Sequence, residues 1–148
     1  MNDDTARFVE NMGSCFAEMG MPRAGGQILA LLLITPGDGL TAAELIDRLS
    51  VSSGSVSTMT RLLVHGGMME KFRLPGERRD RYRLRKDALI RTMEQKIRDT
   101  AVMRALMEEG VRVTSEPEAR ARVQDMADFY GFFEREMPKL IDKWRSER

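Results

Sequence analysis

The chain has 148 residues, enough to bury one hydrophobic core and carry an added dimerisation element. Its 24 Lys/Arg against 23 Asp/Glu leave a formal net charge of +1, which excludes a uniformly basic nucleic-acid coat. A single cysteine excludes an intramolecular disulfide framework, and the longest apolar run, Ile28 to Ile34, is too short to span a bilayer.

Asp3 to Met19 places Ala6, Phe8, Val9, Met12, Phe16 and Met19 at helical spacing, and this start lacks the pattern of a signal peptide. A cytoplasmic protein is therefore expected. Cys15 reads as a small packing residue, with a peroxide-sensing thiol as the alternative that no cationic neighbour in sequence supports. Pro22 can open a second helix at its first position. Ile28 to Ile34 is apolar nearly all round, so this helix belongs at the centre of the fold. Gly25 and Gly26 cost helix propensity there and predict a close helix crossing; they lack the strand and spacing of a phosphate cradle. Thr35 to Gly39 ends the helix.

Leu40-Thr41-Ala42-Ala43-Glu44 has the form of a helix start, with Thr41 as cap, Glu44 reaching back and Leu40 stapling onto Leu45. Leu45, Ile46 and Leu49 make its apolar stripe. Ser50-Val51-Ser52 breaks the pattern, and Ser52 caps a second helix whose back is Val56, Met59, Thr60 and Leu63. Its front carries Gly54, Ser57, Thr58, Arg61 and His65. Small hydroxyls permit close approach to a major groove, and arginine can donate two bonds to guanine. Gly66 and Gly67 stop this helix, one of them in the left-handed conformation. Met68 to Leu74 and Asp80 to Leu84 then read as strands joined by Pro75-Gly76-Glu77-Arg78-Arg79, with Tyr82 and Leu84 on one face and Arg81 and Arg83 on the other. Residues 50–86 hold nine Lys/Arg and three Asp/Glu (+6), leaving 15 against 20 (−5) elsewhere. That segregation suits a DNA-binding face on an otherwise acidic protein. Helix, turn, helix and basic hairpin is the sequence form of a winged helix-turn-helix.

Asp87 to about Gly110 has Leu89, Ile90, Met93, Ile97, Ala101 and Met107 at helical spacing, and Val111 to Glu116 reads as a loop. From Pro117 a last helix carries Met126, Tyr130, Phe133, Met137, Leu140 and Trp144 as a coiled-coil-like seam, interrupted or kinked near Pro138. That seam has either an intramolecular partner or a second subunit.

The runs GMPRAGGQILALLL, LTAAELIDRLSVSSGSVSTMTRLL and RLPGERRDRYRL resemble the multiple-antibiotic-resistance regulator (MarR) family, and more closely its branch around the glycine-betaine regulator GbsR. The resemblance covers about residues 20 to 86 and continues in helical layout at both ends. It implies a mainly α fold with a small β-hairpin wing. Its parts would be an N-terminal dimerisation helix over 1–21, a winged helix-turn-helix lobe over 22–86, and a long helix plus a C-terminal dimerisation helix over 87–148. The implied DNA-binding residues are Ser52, Ser53, Gly54, Ser55, Ser57, Thr58 and Arg61 on the recognition helix, and Arg73, Arg78, Arg79, Arg81 and Arg83 on the wing. Glu77 and Arg79 match the family's acidic residue two before a minor-groove arginine, with Glu for the commoner Asp, and the crowded tip leaves the part open among Arg78, Arg79 and Arg81. Pairing of the chain ends would join Phe8 and Met12 to the Met126–Trp144 seam of a second subunit. An effector pocket would take Phe16, Met19, Ile28, Leu32, Met93 and Ile97, all apolar, and so admit a neutral or cationic, partly hydrophobic molecule.

The expected function is sequence-specific transcriptional regulation, as a repressor, by a homodimer on a pseudo-palindromic double-stranded DNA operator, with release by a small hydrophobic effector. The alternative is a winged-helix protein-interaction module that never touches DNA. An enzyme is not expected, nor a cofactor, metal or membrane partner. The only histidine, His65, ends the recognition helix, and the acidic residues show no paired or metal-ligand spacing.

Overall fold

The computed structural model describes residues 1–148 as six α-helices and three short strands. Helix α1 (Asp3–Glu18) starts behind Asn2, whose side chain accepts from the Thr5 amide at 2.8 Å. Asp3 and Asp4 in its first turn suit the positive end of the helix dipole. Helix α2 (Arg23–Ile34) begins one residue later than expected. Pro22 holds the N-cap, with ψ of 130°, and so lies just outside the helix. Every residue from Gly25 to Leu32 is buried, making α2 the centre of the core.

The crossing of α1 over α2 depends on glycine. A Cβ added to Gly26 would lie 2.2 Å from the Met12 carbonyl oxygen, so the two backbones touch there. Polar groups close the exposed side of that crossing. Arg23 donates to Ser14 Oγ at 2.9 Å and pairs with Glu10, and Gln27 donates to Glu10 at 2.7 Å. Hydrogen bonds from Arg23 and Gln27 hold the Glu10 carboxyl below the usual glutamate range.

Strand β1 (Leu40–Thr41), helices α3 (Ala42–Leu49) and α4 (Ser53–His65), and strands β2 (Met69–Phe72) and β3 (Arg81–Leu84) follow. The sheet is antiparallel in the order β1-β3-β2, with Leu40 opposite Tyr82 and Met69 opposite Leu84. Both arms of the hairpin are shorter than the sequence pattern suggested, and β1 is an addition to it. Gly39, at φ +78°, allows β1 to enter beside β3, because a Cβ there would meet the Tyr82 carbonyl oxygen at 2.3 Å. Of the two glycines after α4, Gly67 takes the left-handed conformation (φ 81°) and Gly66 stays right-handed (φ −72°). Ile28, Leu45, Met69, Val9 and Val56 are the most deeply buried large side chains, with Tyr82 and Leu84 packed against the same cluster.

The chain divides into two compact units, Met1–Ala88 and Leu89–Arg148. Val9 of α1 is 2% exposed within the core of the first unit, which thus includes residues that the sequence reading set apart as an N-terminal helix. In the second unit, α5 (Ala88–Val113) and α6 (Pro117–Ser146) run antiparallel. Arg104 pairs with Glu134, and Arg145 with Glu94 at 2.9 Å. Helix α5 does not stop near Gly110 as expected but continues to Val113, and Thr114 Oγ1 closes it on the Gly110 carbonyl at 2.7 Å. Gly110 is a point of close approach instead: a Cβ there would stand 2.9 Å from Val123 Cγ1 of α6. The Glu116 carboxylate caps α6 by accepting from the amides of Glu118 (2.9 Å) and Ala119 (2.6 Å), and these bonds lower its pKa. The expected interruption at Pro138 does not occur; α6 remains one helix across it. No helix is long and apolar enough to cross a membrane.

Candidate nucleic-acid interface

Two caps set the geometry of the helix pair. Thr41 Oγ1 accepts from the Glu44 amide at 3.2 Å, and Glu44 Oε2 accepts from the Thr41 amide at 2.7 Å, completing a capping box at the start of α3. The Thr41 amide bond is the largest cause of the lowered Glu44 pKa. Ser50 then ends α3 in the left-handed region, at φ 52°. Ser52 Oγ accepts from the Ser55 amide at 3.1 Å and donates to Ser55 Oγ at 2.8 Å, so these two hydroxyls serve the cap of α4. Val56 and Met59 bury the back of that helix, and Thr60 turns its hydroxyl onto the Val56 carbonyl at 2.8 Å. The exposed front is Ser53, Gly54, Ser57, Thr58, Arg61, Leu62 and His65. Leu62, 53% exposed, is the residue the sequence pattern missed. Its neighbour Leu63 satisfies the apolar period, and nothing local shows which of the two turns outward.

The wing's arginines are not equivalent. Arg81 Nε donates to Glu77 Oε2 at 2.9 Å and Nη1 to the Gly39 carbonyl at 3.1 Å, and Glu44 lies 3.8 Å away. Its side chain is only 20% exposed, so Arg81 ties the wing to the strand before α3. Glu77 is therefore the ion-pair partner of Arg81, four residues on. Arg73 donates to Asp80 at 2.6 Å, and Lys71 meets the same carboxylate at 2.8 Å. Hydrogen bonds from Lys71 and then Arg73 hold the Asp80 pKa below the ordinary aspartate range. Arg83 donates to Glu70 at 2.6 Å and lies 4.3 Å from the centroid of the Phe72 ring. Arg78 and Arg79 at the tip are exposed and engage no carboxylate.

This arrangement of paired helices and a three-stranded wing has close relatives. The family profile for MmpR5-like MarR family transcriptional regulators matches residues 87–147. The HTH-type transcriptional regulator MmpR5 of Mycobacterium tuberculosis (strain ATCC 25618 / H37Rv) is 29% identical over 143 residues, or 95% of this chain and 87% of that protein. A crystal structure of a transcriptional regulator is similar at a TM-score of 0.91 and 30% identity, over 98% of this chain and 99% of that one. The chain is thus similar over residues 87–147 to MmpR5-like MarR family regulators and over nearly its whole length to a solved transcriptional regulator.

The remaining residues that the MarR resemblance singled out fall in both units. On α6 the face turned to α5 contains the buried Ala127 and Ile141, whereas Met126, Leu140 and Trp144 of the seam are 47%, 59% and 48% exposed. Tyr130, Phe133 and Met137 are half-buried beside them. In α1, Phe8 is 40% exposed, while Met12 packs against the core through the glycine crossing. Of the residues assigned to an effector pocket, Ile28 (0% exposed) and Leu32 (8%) are core of the first unit. Phe16 lies against Gly25 and Gly26, and Met19 is exposed. Met93 and Ile97 are half-buried on α5.

Proposed function

We infer that this MarR-like regulator is a sequence-specific DNA-binding repressor that acts as a homodimer on a pseudo-palindromic operator. One observation carries the reading. The exposed front of α4 presents an unpaired Arg61, and the wing of the same compact unit presents Arg78 and Arg79 free of carboxylate partners. Arginine on a helix front suits base edges in the major groove, and arginine at a wing tip suits phosphate or the narrow minor groove. The exposed apolar residues of α6 support the homodimer, because a stripe of Met126, Leu140 and Trp144 facing water calls for a partner. Two recognition helices must be held about 34 Å apart to enter successive major grooves, which a fixed dimer provides. The kinship with the GbsR-like branch rests on the motifs of residues 20 to 86. A partly hydrophobic effector is supported by the exposed Met19, one helical turn from Phe16. To shift operator affinity tenfold it needs about 1.4 kcal/mol of preference for one spacing of the recognition helices.

Fluorescence anisotropy on a genomic operator fragment tests the DNA reading. Specific binding should weaken steeply with salt, and Arg61→Ala should cost about 1–3 kcal/mol on the specific site alone. A chain that binds no fragment would instead be a protein-interaction module.

A further inference from the structure

The front of α4 carries more information than the presence of one arginine, because what it lacks is also decisive. Helix α4 reads SGSVSTMTRLLVH and contains no Asn, Gln, Asp or Glu. Bidentate reading of adenine needs a side-chain amide, and acceptance from the cytosine amino group favours a carboxylate. Neither residue type is present on this helix, which leaves single hydroxyl contacts and Arg61 among its polar readers. Arg61 is exposed and engages no carboxylate, so its guanidinium is free for the O6 and N7 acceptors of guanine. Leu62 is 53% exposed, while Val56, Met59, Leu63 and Val64 of the same helix pack into or against the core. An exposed leucine beside the reading arginine offers an apolar surface to the thymine methyl group, the one apolar group on a base edge in the major groove. Thr58 stands one turn before Leu62 on the same stripe and brings a second methyl. One helical turn rises about 5.4 Å, or less than two base-pair steps, so these contacts fall on neighbouring base pairs.

We propose that each half-site is read as a guanine with a thymine within about two base pairs of it, Arg61 taking the guanine and Leu62 the thymine methyl. This rests on the reading of α4 as the recognition helix. The ribonucleotide-free analogues of the two bases separate the contacts. After selection of bound duplexes from a random pool by the full-length protein, deoxyuridine replaces the thymine and 7-deazaguanine replaces the guanine. Deoxyuridine removes only the methyl and should weaken wild-type binding about fourfold per half-site, on the scale of one buried methyl group. 7-Deazaguanine should weaken it about tenfold, by removing one acceptor of a bidentate pair. Leu62→Ala should bind thymine and deoxyuridine duplexes equally, Leu62→Met should retain the preference, and Arg61→Ala should be indifferent to 7-deazaguanine. Selected half-sites without guanine, or a thymine preference that survives in Leu62→Ala, would overturn the proposal while leaving DNA binding intact. A pool that yields no enriched sequence overturns both readings.

Discussion

Removing the two tip arginines and removing Arg73 should change DNA binding in different ways, although all three are exposed residues of one hairpin. Each carboxylate of the hairpin is already engaged: Glu70 by Arg83, Glu77 by Arg81, and Asp80 by Arg73 and Lys71. An arginine neutralised by its own carboxylate displaces few counterions from DNA, so the free pair Arg78 and Arg79 should dominate. At about −0.9 in log affinity per log salt for each phosphate neutralised, two contacts give a slope of about −1.8 per subunit, whereas five equivalent arginines would give about −4.5. For a dimer, that is roughly a 150-fold loss of affinity between 50 and 200 mM salt, where five equivalent arginines per subunit would give a loss about 2,000 times larger. The assay is anisotropy of a labelled random-sequence duplex over a salt series. Arg78→Ala combined with Arg79→Ala should remove most of the wing's slope, and Arg73→Ala should change it little. Asp80→Asn, which frees Arg73 and Lys71, should steepen it. Equal slope changes per residue for Arg73 and Arg79 would refute the claim that ion pairing within the wing decides which cations reach DNA.

Gly26→Ala should destabilise the fold by about 1–3 kcal/mol or more in thermal unfolding, because its Cβ would meet the Met12 backbone at 2.2 Å. Gly131→Ala should raise stability by about 0.5–1 kcal/mol, since the nearest atoms, on Arg104 and Arg135, stand at 3.5 Å; shifts of the same sign in both variants would contradict the assigned crossing. Glu44 and Asp80 have lowered pKa values, so their stabilisation is fully present above the unfolded carboxylate range and is lost as pH falls through the folded values. Urea unfolding from about pH 6 to about pH 3 should therefore show a shallower loss in Glu44→Gln than in the wild type, and parallel curves would remove the capping box from the acid response. Leu140→Glu should lower the sedimenting mass toward that of one chain, and an unchanged mass would exclude this face of α6 from the interface.

The parts of the fold written in local chemistry were legible. The Thr41–Glu44 capping box and the Ser52 cap are defined within four residues, and both form as the sequence predicts. The Gly25-Gly26 pair announced a helix crossing, and Gly26 does meet the Met12 backbone. What escaped depends on partners distant in sequence. Strand β1 is two residues long and exists only because β3 returns beside it some forty positions later. Gly110 looked like a helix end because a glycine in isolation weakens a helix, yet its smallness answers to Val123 on α6. Which wing arginines are neutralised by carboxylates was not legible in sequence; the hairpin register brings Glu70 opposite Arg83, and its fold brings Glu77 to Arg81. The family profile matches residues 87–147, where the sequence offered only helical periodicity, whereas the resemblance legible in the motifs lay over about residues 20 to 86.

The pairing within the wing bears on discrimination as well as affinity. Phosphate contacts strengthen binding to every sequence alike, whereas base contacts separate the operator from the rest of the genome. If all the hairpin cations were free, non-specific affinity would rise by orders of magnitude and the contribution of α4 would be diluted. Arg61 is the only arginine, lysine or acidic residue on that helix, and the single bidentate contact proposed for it would discriminate by about 1–3 kcal/mol. That is too little for one half-site against a background of millions of competing sites. Two half-sites read together double the discrimination in free energy, and so square it as a ratio. On the proposed reading the same logic accounts for the carboxylates on the hairpin: they would restrain binding everywhere, while the α6 stripe would hold the second subunit that reads the other half-site. On this view Glu70, Glu77 and Asp80 belong to the specificity of the regulator as much as Arg61 does, although none of them would touch a base.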